Sequence, residues 1–441
     1  MIKLIAKDKI FLFLLAVLMF FVSYIINLNL IIPFFIICLS LYFKFRRFNR
    51  NPHNYLNLSL LFVIIFATAY FIIRNGYPVY YIPFCIIPML ATILFNDLRV
   101  AFLLSITSSI SVAAIYGNNL YLAVLFLTSG IVASILVYKA RQRIVIIRAG
   151  LVVGVFQVVA LFFAEHMIFM DYPRYIILFL NGLACSIIVL GILPVFEYLF
   201  GTITNISLLE LADFNHPLMQ RMTLEAPGTY HHSLIVGNLS EAACREVGAN
   251  ALLARIGAYY HDIGKLEKPG YFSENQALIE NKHDVLSPSM SKLIIMNHIK
   301  DGVELAKKHK LSPPLIDFIS QHHGDSLVYY FYRRALENLE EDQQVKEEGF
   351  RYPGPKPNTK ETAIVLLADS VEAATRALKE PSPSKVEEIV HKVINNKFID
   401  RQLDECDLTL KDLEKISAVF IRILSGIYHS RVTYPEKEIR K

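Results

Sequence analysis

The sequence is poor in cysteine and in charge, and both scarcities narrow what the chain can be. Its five cysteines, Cys38, Cys85, Cys185, Cys244 and Cys406, are scattered over 441 residues with no close pair. That spacing builds neither a disulfide framework nor a zinc knuckle, and reads as free thiols in a reducing compartment. Charged residues make up 19% of the chain, the net charge is only +5, and no stripe of lysine and arginine runs among aromatics. A long nucleic acid is therefore not the expected partner. No small-x-small cleavage site follows the basic, then apolar, start Met1-Ile-Lys-Leu-Ile-Ala-Lys. The N-terminus reads as an anchor that stays in the membrane.

What is abundant is apolar surface. Hydrophobic residues make up 54% of the chain and the mean hydropathy is +0.41, more than a soluble protein carries. The excess lies almost wholly before residue 200, in runs near 10–27, 29–43, 55–73, 79–95, 100–116, 119–138, 145–165 and 174–200. A membrane helix needs roughly 17–25 such residues. We expect a polytopic domain over 1–200, a connector over 201–226, a soluble domain over 227–436 and a short tail over 437–441.

Basic residues favour cytoplasmic loops. Lys3, Lys7 and Lys9 precede the first run. Lys44, Arg46, Arg47 and Arg50 follow the second, Arg99 the fourth, and Lys139, Arg141 and Arg143 the sixth. Eight spans, the first two a tight hairpin around Asn27-Leu28-Asn29, put all of these and the C-terminal half in the cytoplasm. The expected location is the plasma membrane, crossed several times. Arg148, Glu165 and Glu197 lie near run ends, where they can snorkel. The runs carry no central chain of ionisable residues, so anchoring or signal reception fits better than transport.

The soluble half reads as all-α. Helices are expected near 228–247, 250–261, 288–309, 313–324, 361–379, 384–397 and 408–430, with Ser287-Pro288 and Ser312-Pro313 as N-terminal signals. A polar loop over 337–360 ends in Tyr352-Pro353-Gly354-Pro355-Lys356-Pro357. Histidines sit at the borders of these helices: His231-His232, His261-Asp262, His298, His322-His323, with Asp369 in a later helix. Imidazoles and carboxylates converging from several helices are how a bundle builds a dinuclear metal site.

These residues resemble the HD phosphohydrolase superfamily. Glu225-Ala226-Pro227-Gly228-Thr229-Tyr230-His231-His232-Ser233, Tyr259-Tyr260-His261-Asp262-Ile263-Gly264-Lys265, Lys300-Asp301-Gly302-Val303-Glu304 and Ala368-Asp369-Ser370-Val371-Glu372 narrow the resemblance. They are similar to the seven-transmembrane HD family of bacterial cyclic-di-AMP phosphodiesterases. The resemblance implies two divalent ions, iron or manganese, on His232, His261, Asp262, His298, His322, His323 and Asp369, with Asp262 bridging and Lys265 assisting. It leaves His231 as a support for His232, and Lys356 and Arg376 as candidate phosphate contacts. It implies hydrolysis of cyclic di-AMP to pApA, because the Gly-Tyr-Pro signature of the relatives that cleave cyclic di-GMP does not follow the paired histidines. Another nucleotide as substrate, or a silent membrane receptor, are the rival readings, and a homodimer is left open. The family's large extracytoplasmic domain is expected to be missing, since only Asn27-Leu28-Asn29 separates the first two runs.

Overall fold

The structure is a computed structural model, which describes residues 53–164, 172–276, 282–337, 345–378 and 380–427. Among them every regular element is helical, and the single β-bridge joins Leu327 to Arg351. The expected runs 10–27 and 29–43, their basic flanks up to Arg50, and the tail 437–441 lie outside the described residues. The chain forms two compact units, Met1–Ser207 and Leu208–Lys441.

The first unit holds α1 (His53–Arg74), α2 (Ile86–Phe95), α3 (Leu98–Ile115), α4 (Leu120–Val137), α5 (Arg143–Ala164) and α6 (Tyr172–Phe200). Five of these, all but α2, are long and apolar enough to cross a membrane. Their faces are apolar nearly all round, as a helix bathed in hydrocarbon requires. Helices α5 and α6 pack closely through small residues. A Cβ on Gly182 would lie 2.5 Å from the backbone oxygen of Gly150 and 2.5 Å from the nitrogen of Gly154, so only glycine lets the two backbones approach.

The expected span over 79–95 is not one continuous helix. A 3-10 turn over Val79–Tyr81 is followed by an extended Ile82 and then by the ten-residue α2. At about 1.5 Å per residue α2 is roughly 15 Å long, half the thickness of the hydrocarbon layer. Pro83 is the physical cause: it has no N–H to donate and biases the residue before it away from the helical region. The carbonyls freed by the break are satisfied from α6, where Asn181 Nδ2 donates to Tyr80 O at 3.1 Å and to Ile82 O at 3.2 Å. Every residue from Ile86 to Leu94 is buried, so the irregular backbone is shielded by protein.

The second unit is a stack of helices: α7 (Asn205–Leu211), which straddles the division, α8 (Pro217–Glu225), α9 (Pro227–Glu246), α10 (Ala251–Tyr260), α11 (Pro288–Lys308), α12 (Pro313–Gln321), α13 (Tyr329–Glu337), α14 (Lys360–Arg376), α15 (Pro383–Ile399) and α16 (Leu410–Ile427). Proline opens α8, α9, α11, α12 and α15, where its missing N–H costs nothing. Asn250 caps α10, Ser287 caps α11, and Thr359 with Thr362 forms a capping box on α14. Helix α14 is the centre of the unit: Ala363 to Ala368 are wholly buried. Its C-terminal turns carry Asp369 and Glu372. The run of aromatics Tyr329–Tyr332, which the sequence left unassigned, begins α13.

Candidate metal centre

Two helices end at the centre and three pass through it. Helix α10 stops at Tyr260, so His261 and Asp262 turn inward at its C-terminus, and a 3-10 turn over Ile263–Glu267 leads the chain away. A Cβ on Gly264 would fall 1.8 Å from the carbonyl oxygen of His298. The glycine of His-Asp-Ile-Gly-Lys is therefore what lets this turn lie against the backbone of α11. Helix α12 stops at Gln321, which puts His322 and His323 in the following turn, and α9 and α14 contribute His232 and Asp369 from within.

Seven side chains expected from the sequence meet there. His232 Nε2 lies 3.0 Å from Asp369 Oδ1 and 3.8 Å from Asp262 Oδ2. His261 Nε2 lies 3.2 Å from Asp262 Oδ2 and 3.8 Å from Asp369 Oδ1. On the other side His298 Nε2 and His322 Nε2 each lie 3.5 Å from Asp262 Oδ1, and His323 Nδ1 lies 3.5 Å from Asp369 Oδ2. Donors of His232, His261 and Asp369 fall within 4.8 Å of one another, as do those of His298, His322 and His323, and those of His261, Asp262 and His322. Two ligand groups with Asp262 between them suit a pair of divalent ions.

The hydrogen bonds behind the rings show which nitrogens are free. His261 Nδ1 bonds to Ala258 O at 2.6 Å, His322 Nδ1 to Ile319 O at 2.9 Å, and His298 Nδ1 to Ile295 O. A backbone carbonyl only accepts, so each Nδ1 carries a hydrogen and each ring turns Nε2 inward, where a neutral ring offers a lone pair. His298 Nε2 and His322 Nε2 then face each other at 3.1 Å, an arrangement of two acceptors that a cation relieves. His261 Nε2 and Asp262 Oδ1 are buried and have no hydrogen-bond partner. Orphaned acceptors in a buried polar pocket are costly unless something cationic meets them. The residues present fit divalent metal.

Charge follows the same division. Burial pushes the pKa of His298 down to about 3, with His322 adding to the fall. Burial also opposes the charge on His261, but Asp262 and Asp369 outweigh it and lift the ring to about 10, so that without a metal a proton on Nε2 takes the place a cation would fill. Burial raises the Asp262 carboxyl, yet His261 and Lys265 overcome that and hold it well below the ordinary carboxylate range. Lys265 Nζ bonds to Asp262 Oδ2 and to Glu274 Oε1, both at 2.7 Å. Two of its three donors are thus spent on carboxylates. Burial would raise Glu274, but Lys265 brings it down to about 2.

Other expected contacts are placed differently. His231 is exposed and does not stand behind His232; that place belongs to Glu372, whose Oε2 bonds to His232 Nδ1. Arg376, expected to meet phosphate, pairs with the second oxygen of Glu372 at 3.5 Å. Lys356 lies 3.5 Å from Asp325. Sequence reasoning also missed Glu274, and Tyr352, whose buried ring stacks on His323 with centroids 4.4 Å apart. The i, i+3 spacing of Asp369 and Glu372 on one helix face was the available signal for Glu372. Nothing local marked Glu274.

Two family models match the chain. One, described as a 7TM receptor with intracellular HD hydrolase, covers residues 24–204, and the other, an HD domain, covers residues 229–374. The chain is 39% identical over 432 residues to the cyclic-di-AMP phosphodiesterase PgpH of Bacillus subtilis, covering 93% of this chain and 60% of that protein. It is 39% identical over 388 residues to the protein of the same name from Listeria monocytogenes, covering 86% and 53%. It therefore spans less than two thirds of the length of these curated relatives. A crystal structure of the L. monocytogenes PgpH HD domain in complex with cyclic-di-AMP is 48% identical, with a TM-score of 0.47, covering 49% of this chain and all of that one.

Proposed function

The chain belongs to the family of seven-transmembrane receptors with an intracellular HD hydrolase, and from that premise we propose that it is a membrane-anchored phosphodiesterase that hydrolyses cyclic di-AMP to pApA. The observation that carries the reading is the facing pair His298 and His322 around the orphaned Asp262 Oδ1. A site that only bound a nucleotide has no use for such a set of inward lone pairs. The full set comprises His232, His261, Asp262, His298, His322, His323 and Asp369, with iron or manganese as the ions that imidazole and carboxylate together suit. We place the N-terminus and the HD domain in the cytoplasm, where the basic clusters and the nucleotide lie.

When bound, the ions supply Lewis acidity and lower the pKa of water in the site. The chain's own residues do the rest. Asp262 offers one oxygen to each ligand group, and Lys265 balances its charge. The Nδ1 bonds lock four rings in the tautomer that leaves Nε2 free. Tyr352 covers His323 and keeps solvent from that side. The water oxygen forms a bond to phosphorus, the 3′ oxygen leaves and takes up a proton, and one 3′–5′ diester opens to a linear dinucleotide with a 5′ phosphate.

The test is turnover of cyclic di-AMP by the detergent-solubilised full chain with manganese or ferrous iron. Asp262→Ala and His261→Ala are each expected to lower kcat by at least about a thousandfold. Metal bound at two ions per chain without turnover sinks the substrate; neither metal nor turnover leaves a receptor.

A further inference from the structure

Lys265 is held by three groups. Its Nζ donates to Asp262 Oδ2 and to Glu274 Oε1, both at 2.7 Å, and lies 5.1 Å from the centre of the Phe272 ring. The first of these bonds opposes metal binding. Asp262 Oδ2 lies 3.2 Å from His261 Nε2 and 3.8 Å from His232 Nε2, so it faces the ligand group that His232 and His261 form with Asp369. An ammonium bonded to a ligand oxygen draws off electron density that a metal ion needs, and its charge repels that ion. Solvent screens such opposition little in a buried site.

Glu274 answers it. Its side chain is almost wholly buried, and the turn that carries it, Ser273–Asn275, is clasped to the first turn of α9. Thr229 N donates to Asn275 Oδ1 at 3.0 Å, and Asn275 Nδ2 donates to Thr229 Oγ1 at 2.8 Å. Thr229 Oγ1 in turn donates to Glu274 Oε1 at 3.2 Å. A Cβ on Gly228 would lie 1.8 Å from the carbonyl oxygen of Glu274, so glycine lets the turn lie this close to the helix. Gly228 and Thr229 belong to the string that opens α9, and neither is among the candidate ligands. What they supply is a fixed seat for the Glu274 carboxylate.

We infer that Glu274 is a positioning residue of the metal centre. By pairing with Lys265 it offsets the ammonium's charge, and so leaves Asp262 Oδ2 to the ion on His232, His261 and Asp369. That role rests on the metal reading above. The carboxylate acts through Lys265 and touches neither the ion nor the substrate.

The test compares wild type, Glu274→Gln, Lys265→Met and the double variant as full chains in detergent. Each is loaded with manganese and dialysed against graded chelator, and the manganese retained per chain is measured. Glu274→Gln keeps an acceptor for Lys265 and Thr229 and removes only the charge. It is expected to weaken one of the two ions about 10- to 100-fold. The other ion, on His298, His322 and His323, should stay and so report a folded chain. Lys265→Met alone should hold both ions at least as tightly as wild type. Adding Lys265→Met to Glu274→Gln should bring the weakened ion back to within about threefold of wild type, because the charge that Glu274 offsets is gone. A carboxylate that only braced the turn would show no such recovery. Retention of both ions by Glu274→Gln at wild-type chelator levels overturns the role. Loss of both ions together, or a double variant no better than Glu274→Gln, overturns it as well. Wild type that holds no manganese overturns the metal reading, and this role with it.

Discussion

Glu372 does for His232 what backbone carbonyls do for His261, His298 and His322. A carboxylate behind a ligating imidazole fixes the ring's tautomer and raises its basicity. Arg376 then holds the other carboxylate oxygen, so Asp369, His232, Glu372 and Arg376 form one chain of contacts from the ligand sphere to the surface. Glu372→Ala is expected to weaken metal binding about 10- to 100-fold at the ion held by His232, His261 and Asp369. The ion on His298, His322 and His323 should be retained. Glu372→Gln keeps an acceptor and should fall between. Metal content after dialysis against graded chelator measures this, and loss of both ions together would contradict it. Among the residues named from the motifs, the seven candidate side chains converge on one centre. His231 does not, because neighbouring residues on a helix point to different faces, whereas Arg376 shares the face of Asp369 and Glu372 and pairs with Glu372.

At the scale of the element, the broken segment before α2 is the clearest case of a helix overruled. Its hydropathy is that of a span, but Pro83 ends the hydrogen-bond ladder and α2 is too short to cross alone. The break survives because Asn181 serves two carbonyls at once. Asn181→Leu removes both bonds, leaving Ile82 O with the Phe84 N–H alone, at a cost of about 1–3 kcal/mol. Thermal unfolding of the detergent-solubilised chain should show this as a lower Tm, whereas an unchanged Tm would mean that water reaches those carbonyls. Packing of α5 on α6 through Gly150, Gly154 and Gly182 is a second element-level decision. It is readable as small residues in the sequence, but their partner is not.

At the scale of the whole molecule, the two units have different solvents and different sources of stability. The first buries a continuous apolar core of helices long enough for a bilayer. The second gathers acceptors that only cations satisfy. Ions that bind the folded state alone stabilise it by mass action, about 4 kcal/mol at a thousand times Kd. Chelation should therefore lower the Tm of the second unit by roughly 10 °C, and leave the unfolding of the first unmoved. Calorimetry with and without chelator checks this. A shift of both transitions together, or of neither, would argue against the site as drawn.

Class, composition and ligand types were determined by the sequence alone. Long apolar runs report a membrane because hydrocarbon leaves a helix no polar alternative, and proline and cap residues mark helix starts because they act locally. Histidines at helix ends announced a metal centre for the same reason: the chain's turns are local, and the chemistry rides on them. Tertiary structure alone decided what stands behind those ligands. Glu274 reaches Lys265 from a turn of its own, Tyr352 reaches His323 from the proline-rich loop, and Lys397 reaches Ser326 from 71 residues away. Such contacts depend on how helices pack side by side, and packing is set by the sum of many weak apolar contacts rather than by any residue's own preference.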